Sequence, residues 1–255
     1  MGYDIRKIEK ALEGIAAVRY TDCVDSTNLE ARRIAAGDGG LCMRNELHAG
    51  EDAKAVSDAS CIADGILILA GMQTHGRGRM GRSWKNAGED AIAMSLLLRP
   101  KIDQERVSML TIVAAMAVSD GIRKATGLDT RIKWPNDLKA GDRKICGILS
   151  ESVFCGNDFY SVIGIGINVN NTVFPDELSE IAGSVTQFTA REENREDIII
   201  ESVKSFYKYY GILCRDGSLS GIRDDYNRRC ITAGGINEYG ELIMPDGSLK
   251  RSGEV

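Results

Sequence analysis

Arginine and glycine alternate in one short segment of this chain, Gly71-Met-Gln-Thr-His-Gly-Arg-Gly-Arg-Met-Gly-Arg-Ser-Trp84. Glycine lets a backbone approach a ligand closely because it has no Cβ, and guanidinium groups carry a fixed positive charge that matches phosphate. We therefore predict that residues 76–84, called the flap below, close over an anionic ligand. A surface hairpin with solvated Arg77, Arg79 and Arg82 is the alternative interpretation.

The flap also fits two known phosphate-binding patterns. Gly76-x-Gly78-x-x-Gly81 has the spacing of the dinucleotide fingerprint, and Gly76 to Ser83 reads as a P-loop with arginine in place of lysine. Both patterns require a helix after the glycines. Residues 82–90 contain a further glycine and no helical repeat, and residues 91–99 are typical of a buried strand. The sequence therefore favours a flexible flap over a Rossmann or P-loop site.

The composition limits the class of protein. The chain has 255 residues, 43% apolar, with a net charge of −5, which suits one large domain, alone or with a small appendage. The acidic balance argues against general affinity for nucleic acid, so a local basic flap indicates a small anionic ligand. Eighteen consecutive apolar residues are not found, and the N-terminus lacks the apolar centre of a signal peptide.

Cysteine and histidine usage argues against a structural zinc site. The seven cysteines are scattered without a Cys-x-x-Cys pair, and the chain has two histidines. Reduced thiols are expected in the cytoplasm, and we predict that location.

The hydrophobic pattern predicts an α+β fold. Strands and helices do not alternate regularly, which favours a mixed sheet with helices packed on one face over a doubly wound fold. The apolar spacing predicts helices over residues 4–18, 29–36, 104–127 and 197–213, and strands over residues 19–24, 65–71, 91–99, 130–134, 144–153 and 159–169. Residues 37–60 read as an exposed insertion, and Asp246-Gly247 predicts a hairpin in a small β module.

Four further segments join the flap in one ordered pattern. They are Ser26-Thr27-Asn28, Lys133-Trp-Pro-Asn-Asp-Leu138, Arg143-Lys-Ile-Cys-Gly-Ile-Leu-Ser-Glu151 and Gly164-Ile-Gly-Ile-Asn168. Together they resemble the signature of biotin protein ligases. The resemblance implies a largely antiparallel catalytic fold like that of class II synthetases over residues 1–213. It also implies an abbreviated SH3-like β module over residues 214–255.

The resemblance implies an activity. Biotin protein ligases join biotin to ATP, in the presence of Mg²⁺, as biotinyl-5′-AMP. They then transfer biotin to one lysine of a biotin carboxyl carrier protein, such as the carrier domain of acetyl-CoA carboxylase. Because 25 residues precede Ser26, the chain resembles the short class without a DNA-binding domain, and neither DNA nor a membrane is an expected partner. A lipoate-type ligase of the same fold and a non-catalytic protein that binds biotin or its adenylate are the alternatives.

The resemblance also assigns site residues. It makes Lys144 and Arg79 catalytic, and Asp137 a candidate Mg²⁺ ligand. The residues expected at biotin are Ser26, Thr27, Asn28, Gln73, Arg77, Gly78, Arg79, Lys144, Gly147, Leu149, Gly164 and Gly166. Those expected at ATP or the adenylate are Gly76, Arg77, Arg79, Arg82, Trp84, Asn136 and Asn168.

Several of these residues have ordinary structural explanations as well. Lys144 would otherwise be an exposed lysine at the end of a strand, Ser26 a helix cap, and Trp84 a core residue. The glycines of the last two motifs would otherwise mark β-bulges. Members of this family often dimerise through edge strands, and the apolar segment 161–170 is the candidate edge for a homodimer here.

Overall fold

The computed structural model describes residues 2–37, 65–84 and 90–252. The predicted insertion at residues 37–60 lies outside these ranges, apart from Gly37. The α-helices are α1 Ile5–Ala11, α2 Thr27–Ala36, α3 Met109–Thr126, α4 Val185–Thr189, α5 Arg195–Asp216 and α6 Ser220–Arg229. The strands are β1 Ala17–Val24, β2 Gly65–Gln73, β3 Ala91–Leu98, β4 Arg131–Lys133, β5 Asp137–Ala140, β6 Arg143–Cys155, β7 Asp158–Asn168, β8 Leu242–Ile243 and β9 Leu249–Lys250.

Seven strands form one mixed sheet in the order β1-β2-β3-β7-β6-β5-β4. Among the described strands of this sheet, β1 and β2 are parallel neighbours and the other pairs are antiparallel. The predicted α+β class with a largely antiparallel sheet is therefore confirmed.

Alternate residues of β2 face two layers, because successive strand side chains point to opposite faces. Leu67 and Leu69 join the main core with α3 and α5, whereas Ile66 and Ile68 pack with Ile34 of α2 in a smaller cluster. Helices thus cover both faces, and the prediction of helices on one face was incomplete. The placement of α2 opposite the main core matters because its first residues belong to the candidate site.

Glycines with positive φ follow the ends of helices α1 and α3. The first helix stops at Ala11, short of the predicted residue 18, and Gly14 adopts a positive φ of 74° before β1 begins. The long helix α3 ends at Gly127 with φ 81°, as predicted. Glycine has no Cβ to clash in this left-handed region, so it ends a helix at low cost.

The strand expected at a dimer edge lies inside the sheet. β7 pairs with β3 on one side and with β6 on the other, so the prediction that residues 161–170 form a free edge was wrong. The apolar run reflects burial on both faces rather than an exposed border.

The tail differs from the predicted SH3-like module. Among the described residues beyond 216, the structure has helix α6 and the two-stranded sheet β8-β9, which turns at Asp246-Gly247 as predicted. The boundary predicted between residues 213 and 214 falls inside α5. Ile222 and Tyr226 of α6 pack in the same core as α3 and α5, so this part of the tail is not a separate barrel.

No helix in the described part of the chain combines the length and the hydropathy needed to cross a bilayer.

Candidate functional site

Two cavities adjoin on the α2 side of the sheet. The inner cleft is lined by the Ser26-Thr27-Asn28 segment, Gln73, the flap and the middle of β6 and β7. The outer cleft is the wider of the two and lies between the flap, the turn before β5 and the segment 174–182. The residues that line both are Gly78, Arg79, Trp84, Asn136 and Lys144.

Hydroxyl and amide groups are gathered at the α2 end of the inner cleft. The backbone N–H and the hydroxyl of Thr27 donate to Gln73 Oε1 at 2.8 and 3.1 Å. The buried hydroxyl of Ser95 lies 2.7 Å from Thr27 Oγ1 and 2.6 Å from Asn28 Oδ1. Ser26 precedes α2 but its side chain makes no capping hydrogen bond, so the simple cap explanation does not hold.

The flap folds back on itself as an irregular hairpin. The N–H of Trp84 donates to the Gly76 carbonyl at 2.8 Å, and the N–H of Gly78 donates to the Arg82 carbonyl at 2.7 Å. Met80, with φ 55°, forms the tip. The flap returns through Ser83 in an antiparallel bridge to Arg77 rather than opening a helix, which agrees with the exclusion of a P-loop.

Arg79 reaches from the flap into the junction of the clefts. One guanidinium nitrogen donates to Asn136 Oδ1 at 3.3 Å, and the other donates to the carbonyl of Ser252. Asn136 is oriented in turn because its amide donates to the Ile148 carbonyl at 3.0 Å. Burial lowers the pKa of Arg79, but a guanidinium starts so high that it stays protonated.

Lys144 lies at the same junction, near the start of β6. Its Nζ is 2.6 Å from Asp137 Oδ1 and 5.7 Å from the centre of the Trp84 ring. The Asp137 contact is a close ion pair that lacks the alignment of a hydrogen bond, and Asp137 Oδ1 accepts no hydrogen bond from the described residues. The ammonium is half-buried and lines both clefts, unlike an ordinary lysine at a strand end.

The predicted site includes three glycines of β6 and β7, and two of them make room for the side chain of Trp84. A Cβ on Gly166 would lie 2.4 Å from Trp84 Cε2, and one on Gly147 would lie 2.9 Å from Cζ3. A Cβ on Gly164 would instead lie 2.2 Å from Asn28 Oδ1. Gly147 pairs with Gly166, and Leu149 with Gly164, in regular register, so bulges between β6 and β7 do not explain these glycines.

The indole of Trp84 points a polar atom into this crowded space. Trp84 Nε1 is buried and has no hydrogen-bond partner among the residues that the structure describes. A buried donor without an acceptor is costly, so the geometry favours a ligand acceptor at this position. Trp134, by contrast, is a core residue as expected, and its Nε1 donates to the Gly240 carbonyl at 3.1 Å.

The outer cleft combines an excess of positive charge with an apolar wall. The charged residues that line it are Arg79, Arg82, Lys133, Lys139 and Lys144 against Asp137 and Asp142. The apolar wall is made by Phe174, Leu178 and Ile181. Asn168 lines this cleft as well, but its amide already donates to the Gly183 carbonyl at 3.0 Å.

A metal ion would find few ligands here without help from a substrate. The described residues contain no cluster of three or more histidine, cysteine or acidic side chains that could hold one. Asp137 is a carboxylate on the wall of the outer cleft. Mg²⁺ at phosphate sites is held by one or two carboxylates together with phosphate oxygens, and Asp137 fits that arrangement.

Some residues of the site carry no recognisable sequence signal. Ser95 lies in the apolar run of β3, and Phe174, Leu178 and Ile181 lie in an irregular segment. Ser252 meets Arg79 from a distant part of the chain. Glu151 lies within the motif that ends at this residue, and it accepts a hydrogen bond from Asn28 of the inner cleft at 2.7 Å, but the motif predicts no role for it.

Comparison with known proteins agrees with this geometry. The model of the biotin/lipoate A/B protein ligase family matches residues 59–168. The bifunctional ligase/repressor BirA of Bacillus spizizenii is 44% identical over 150 residues, which are 58% of this chain and 46% of that protein. The biotin–[acetyl-CoA-carboxylase] ligase of Mycobacterium tuberculosis is 30% identical over 184 residues, 69% of this chain and 66% of that protein.

A solved structure extends the similarity of fold to most of the chain. The biotin protein ligase from Aquifex aeolicus in complex with biotin and ATP superposes with a TM-score of 0.71 at 23% identity, covering 93% of this chain and 97% of that one. The chain spans about half the length of the BirA proteins that it matches. On its sequence motifs, its matched domain and its fold, the chain belongs to the biotin/lipoate A/B protein ligase family.

Proposed function

We propose that the protein is an ATP-dependent biotin protein ligase. The observation that carries this proposal is the meeting of two clefts at Lys144 and Arg79. Two anionic reactants bound in separate clefts would come together beside these two cations. The relatives named as biotin–[acetyl-CoA-carboxylase] ligases, from Mycobacterium tuberculosis and Paracoccus denitrificans, support the same activity.

The inner cleft suits the head group of biotin. A ureido ring both donates and accepts hydrogen bonds, and the groups at this end are hydroxyls and amides of Ser26, Thr27, Asn28 and Gln73. Leu149, Ile165 and the indole of Trp84 give this cleft an apolar lining that suits the ring and chain of biotin. In this arrangement the carboxylate end of biotin points toward Arg77, Gly78, Arg79 and Lys144.

The outer cleft suits MgATP. Its positive charge matches a triphosphate, and Trp84 with the apolar wall can hold a base, while Asn136 and Asn168 offer polar contacts to the nucleotide. Arg82 would close over the phosphates from the flap. Gly76, which was expected at the adenylate, is buried, lines neither cleft and accepts the Trp84 N–H at the base of the flap. Asp137 would hold Mg²⁺ together with phosphate oxygens, and the ion would supply charge neutralisation there.

The first step joins two anions. A biotin carboxylate oxygen attacks the α-phosphorus of ATP, the bond to the bridging oxygen breaks, and pyrophosphate leaves. Lys144 and Arg79 hold fixed positive charge where negative charge accumulates, which lowers the barrier without reorganisation of solvent. The flap then excludes water from the mixed anhydride of biotin and AMP.

The second step transfers biotin to a carrier protein. The ε-amine of a carrier lysine attacks the carbonyl carbon of biotinyl-5′-AMP, AMP leaves, and an amide forms. A third groove of about 780 Å³, lined by Ser150, Ser152 and Ser108 and reaching Arg79, offers a path to the junction. We assign it to the lysine of a carrier domain such as that of acetyl-CoA carboxylase.

Cytoplasmic location is part of the proposal. The cysteines of the described residues, Cys23, Cys146, Cys155, Cys214 and Cys230, are free thiols, as suits a reducing compartment. Burial raises the pKa of the Cys146 thiol well above its usual value, so Cys146 is a packing residue rather than a nucleophile.

Mass spectrometry of a carrier domain tests the function. The domain is incubated with the protein, MgATP and either biotin or lipoate, with Lys144→Ala as the control. A mass increase of one biotinyl group, absent in the control, is expected with biotin only. Modification by lipoate instead would favour a lipoate-type ligase, and biotin binding without pyrophosphate release would indicate a non-catalytic binding protein.

A further inference from the structure

Glu151 connects three elements through one carboxylate. It lies on β6 with its side chain only 12% exposed. Its Oε2 accepts a hydrogen bond from the Asn28 amide at 2.7 Å. Its Oε1 accepts from Arg32 at 2.9 Å and forms an ion pair with Arg77 of the flap at 3.2 Å.

These contacts orient a residue of the inner cleft. Because Asn28 donates to Glu151, its amide oxygen is turned toward Ser95, 2.6 Å away. Gly164 leaves the space that this arrangement needs, since a Cβ there would meet Asn28 Oδ1 at 2.2 Å. The carboxylate therefore sets which hydrogen-bonding groups of Asn28 remain for a ligand.

The same carboxylate holds the base of the flap. Arg77 is the second residue of the flap, and its partner Glu151 belongs to the rigid sheet. An ion pair with one nearly buried partner is stronger than one between two solvated groups, because water screens it less. Flap position and the orientation of Asn28 thus depend on one shared group.

We propose that Glu151 is a positioning residue that couples the hydrogen-bonding end of the inner cleft to closure of the flap. The functional part of this inference rests on the proposed function. The structural part, that Glu151 anchors the flap through Arg77, is independent of any ligand. Arg32 contacts the same oxygen but belongs to neither the flap nor the cleft, so it provides a matched control.

Limited trypsin digestion of the ligand-free protein tests the structural part. Trypsin cleaves after Arg77, Arg79 and Arg82 once the flap opens, and mass spectrometry assigns each cut. Glu151→Gln should raise these rates about five- to tenfold, as loss of a charge-assisted contact predicts. Arg32→Gln, which keeps the Arg77 pair, should stay within about twofold of wild type.

Cleavage after Lys204 in α5 serves as the internal reference for general destabilisation. Three outcomes would overturn the proposal. The first is cleavage after Lys204 that accelerates as much as cleavage of the flap. The others are equal effects of Glu151→Gln and Arg32→Gln, and unchanged cleavage of the flap in Glu151→Gln. Arg77→Met provides a second variant from the flap side in case Glu151→Gln does not fold. It should accelerate cleavage after Arg79 and Arg82 to a similar extent.

Release of biotinyl-5′-AMP tests the functional part. In Glu151→Gln the adenylate should dissociate about five- to tenfold faster, with KM for biotin raised by a similar factor and KM for ATP nearly unchanged. An equal rise in both constants would contradict the coupling to the inner cleft. Absence of adenylate in the wild-type protein would overturn the proposed function instead, and the digestion would still decide whether Glu151 anchors the flap.

Discussion

The Nζ atom of Lys144 lies 2.6 Å from Asp137 Oδ1. Before any substrate binds, the ammonium that faces both clefts is therefore neutralised by the carboxylate suited to Mg²⁺. In the proposed reaction Asp137 would hold Mg²⁺ together with phosphate oxygens, and the ammonium of Lys144 would face the reacting anions.

Replacement of Lys144 by glutamine should abolish most of the first step. Glutamine keeps similar bulk but removes the positive charge at the site of transfer. Removal of one preorganised stabilising group typically costs 10²–10³ in kcat, and we expect roughly that loss in biotin-dependent pyrophosphate release. Lys139→Gln is the control, because Lys139 lines the outer cleft only, and it should raise KM for ATP while changing kcat less than about threefold. Comparable kcat losses in both variants would contradict a special role for Lys144.

Replacement of Gly166 by alanine should displace Trp84. The added methyl would lie 2.4 Å from Trp84 Cε2, and overpacking of this kind costs about 1–3 kcal/mol in the free energy of unfolding. We expect biotin affinity to fall at least about tenfold, because the displaced indole would enter the inner cleft, where we propose that biotin binds. Isothermal titration with biotin measures the affinity.

Gly211→Ala is the matched control for this substitution. Gly211 lies in α5, and an added Cβ meets nothing within 4 Å. Alanine there should stabilise the helix by about 0.5–1 kcal/mol and leave biotin affinity unchanged. Normal biotin binding by Gly166→Ala would show that Trp84 can move without loss.

Replacement of Arg79 by glycine should uncouple formation of the adenylate from its retention. Lys144 would still support some transfer, but the flap would lose its contacts with Asn136 and Ser252. The variant should therefore release biotinyl-5′-AMP into solution, where thin-layer chromatography detects it. Retention as tight as in the wild-type protein, measured by equilibrium binding, would rule out this role for Arg79.

Loss of Arg229 should destabilise the protein in a pH-dependent way. Burial alone would raise the pKa of Asp120, but hydrogen bonds from Tyr209 and Arg229 outweigh it and hold the pKa below the usual value. This contribution is complete above the pKa of an unfolded aspartate and disappears as the pH falls through the lowered value. Arg229→Met should cost about 2–3 kcal/mol at pH 7 and less at pH 3, as measured by urea unfolding.

The exposed neighbour Arg228 provides the control for this measurement. Its guanidinium pairs with Asp225 while its side chain is 71% exposed, so Arg228→Met should cost no more than about 0.5 kcal/mol at either pH. A loss for Arg229→Met that does not change with pH would mean that packing, rather than the charge of Asp120, accounts for the cost.

The positions that the sequence predicted well are those with strong local constraints. The flap is recognisable because glycine and arginine alternate, and α3 because its apolar spacing runs to Gly127. The Lys144 segment is recognisable because a short motif surrounds it. Each of these signals lies within a few consecutive residues, where backbone geometry and side-chain chemistry act directly on the local chain.

The wrong or incomplete predictions share a different cause. The segment 161–170 was predicted to be an edge, yet most of it belongs to β7, which lies between β3 and β6. Strand order depends on long-range pairing, which the local sequence does not show. Residues 220–229 looked like part of a β module, yet α6 forms where Ile222 and Tyr226 find the main core. Local pattern cannot show which distant surface an element will cover.

By itself the sequence determined the α+β class and the Arg-Gly motif of the flap, and it predicted which residues a ligase of this family would use. Tertiary structure decided which residues contact each other: Lys144 with Asp137, Arg79 with Ser252, and Glu151 with both Asn28 and Arg77. The reason is physical, because a residue's type follows from the chain alone, whereas its partners depend on how strands pair and layers pack across more than a hundred residues.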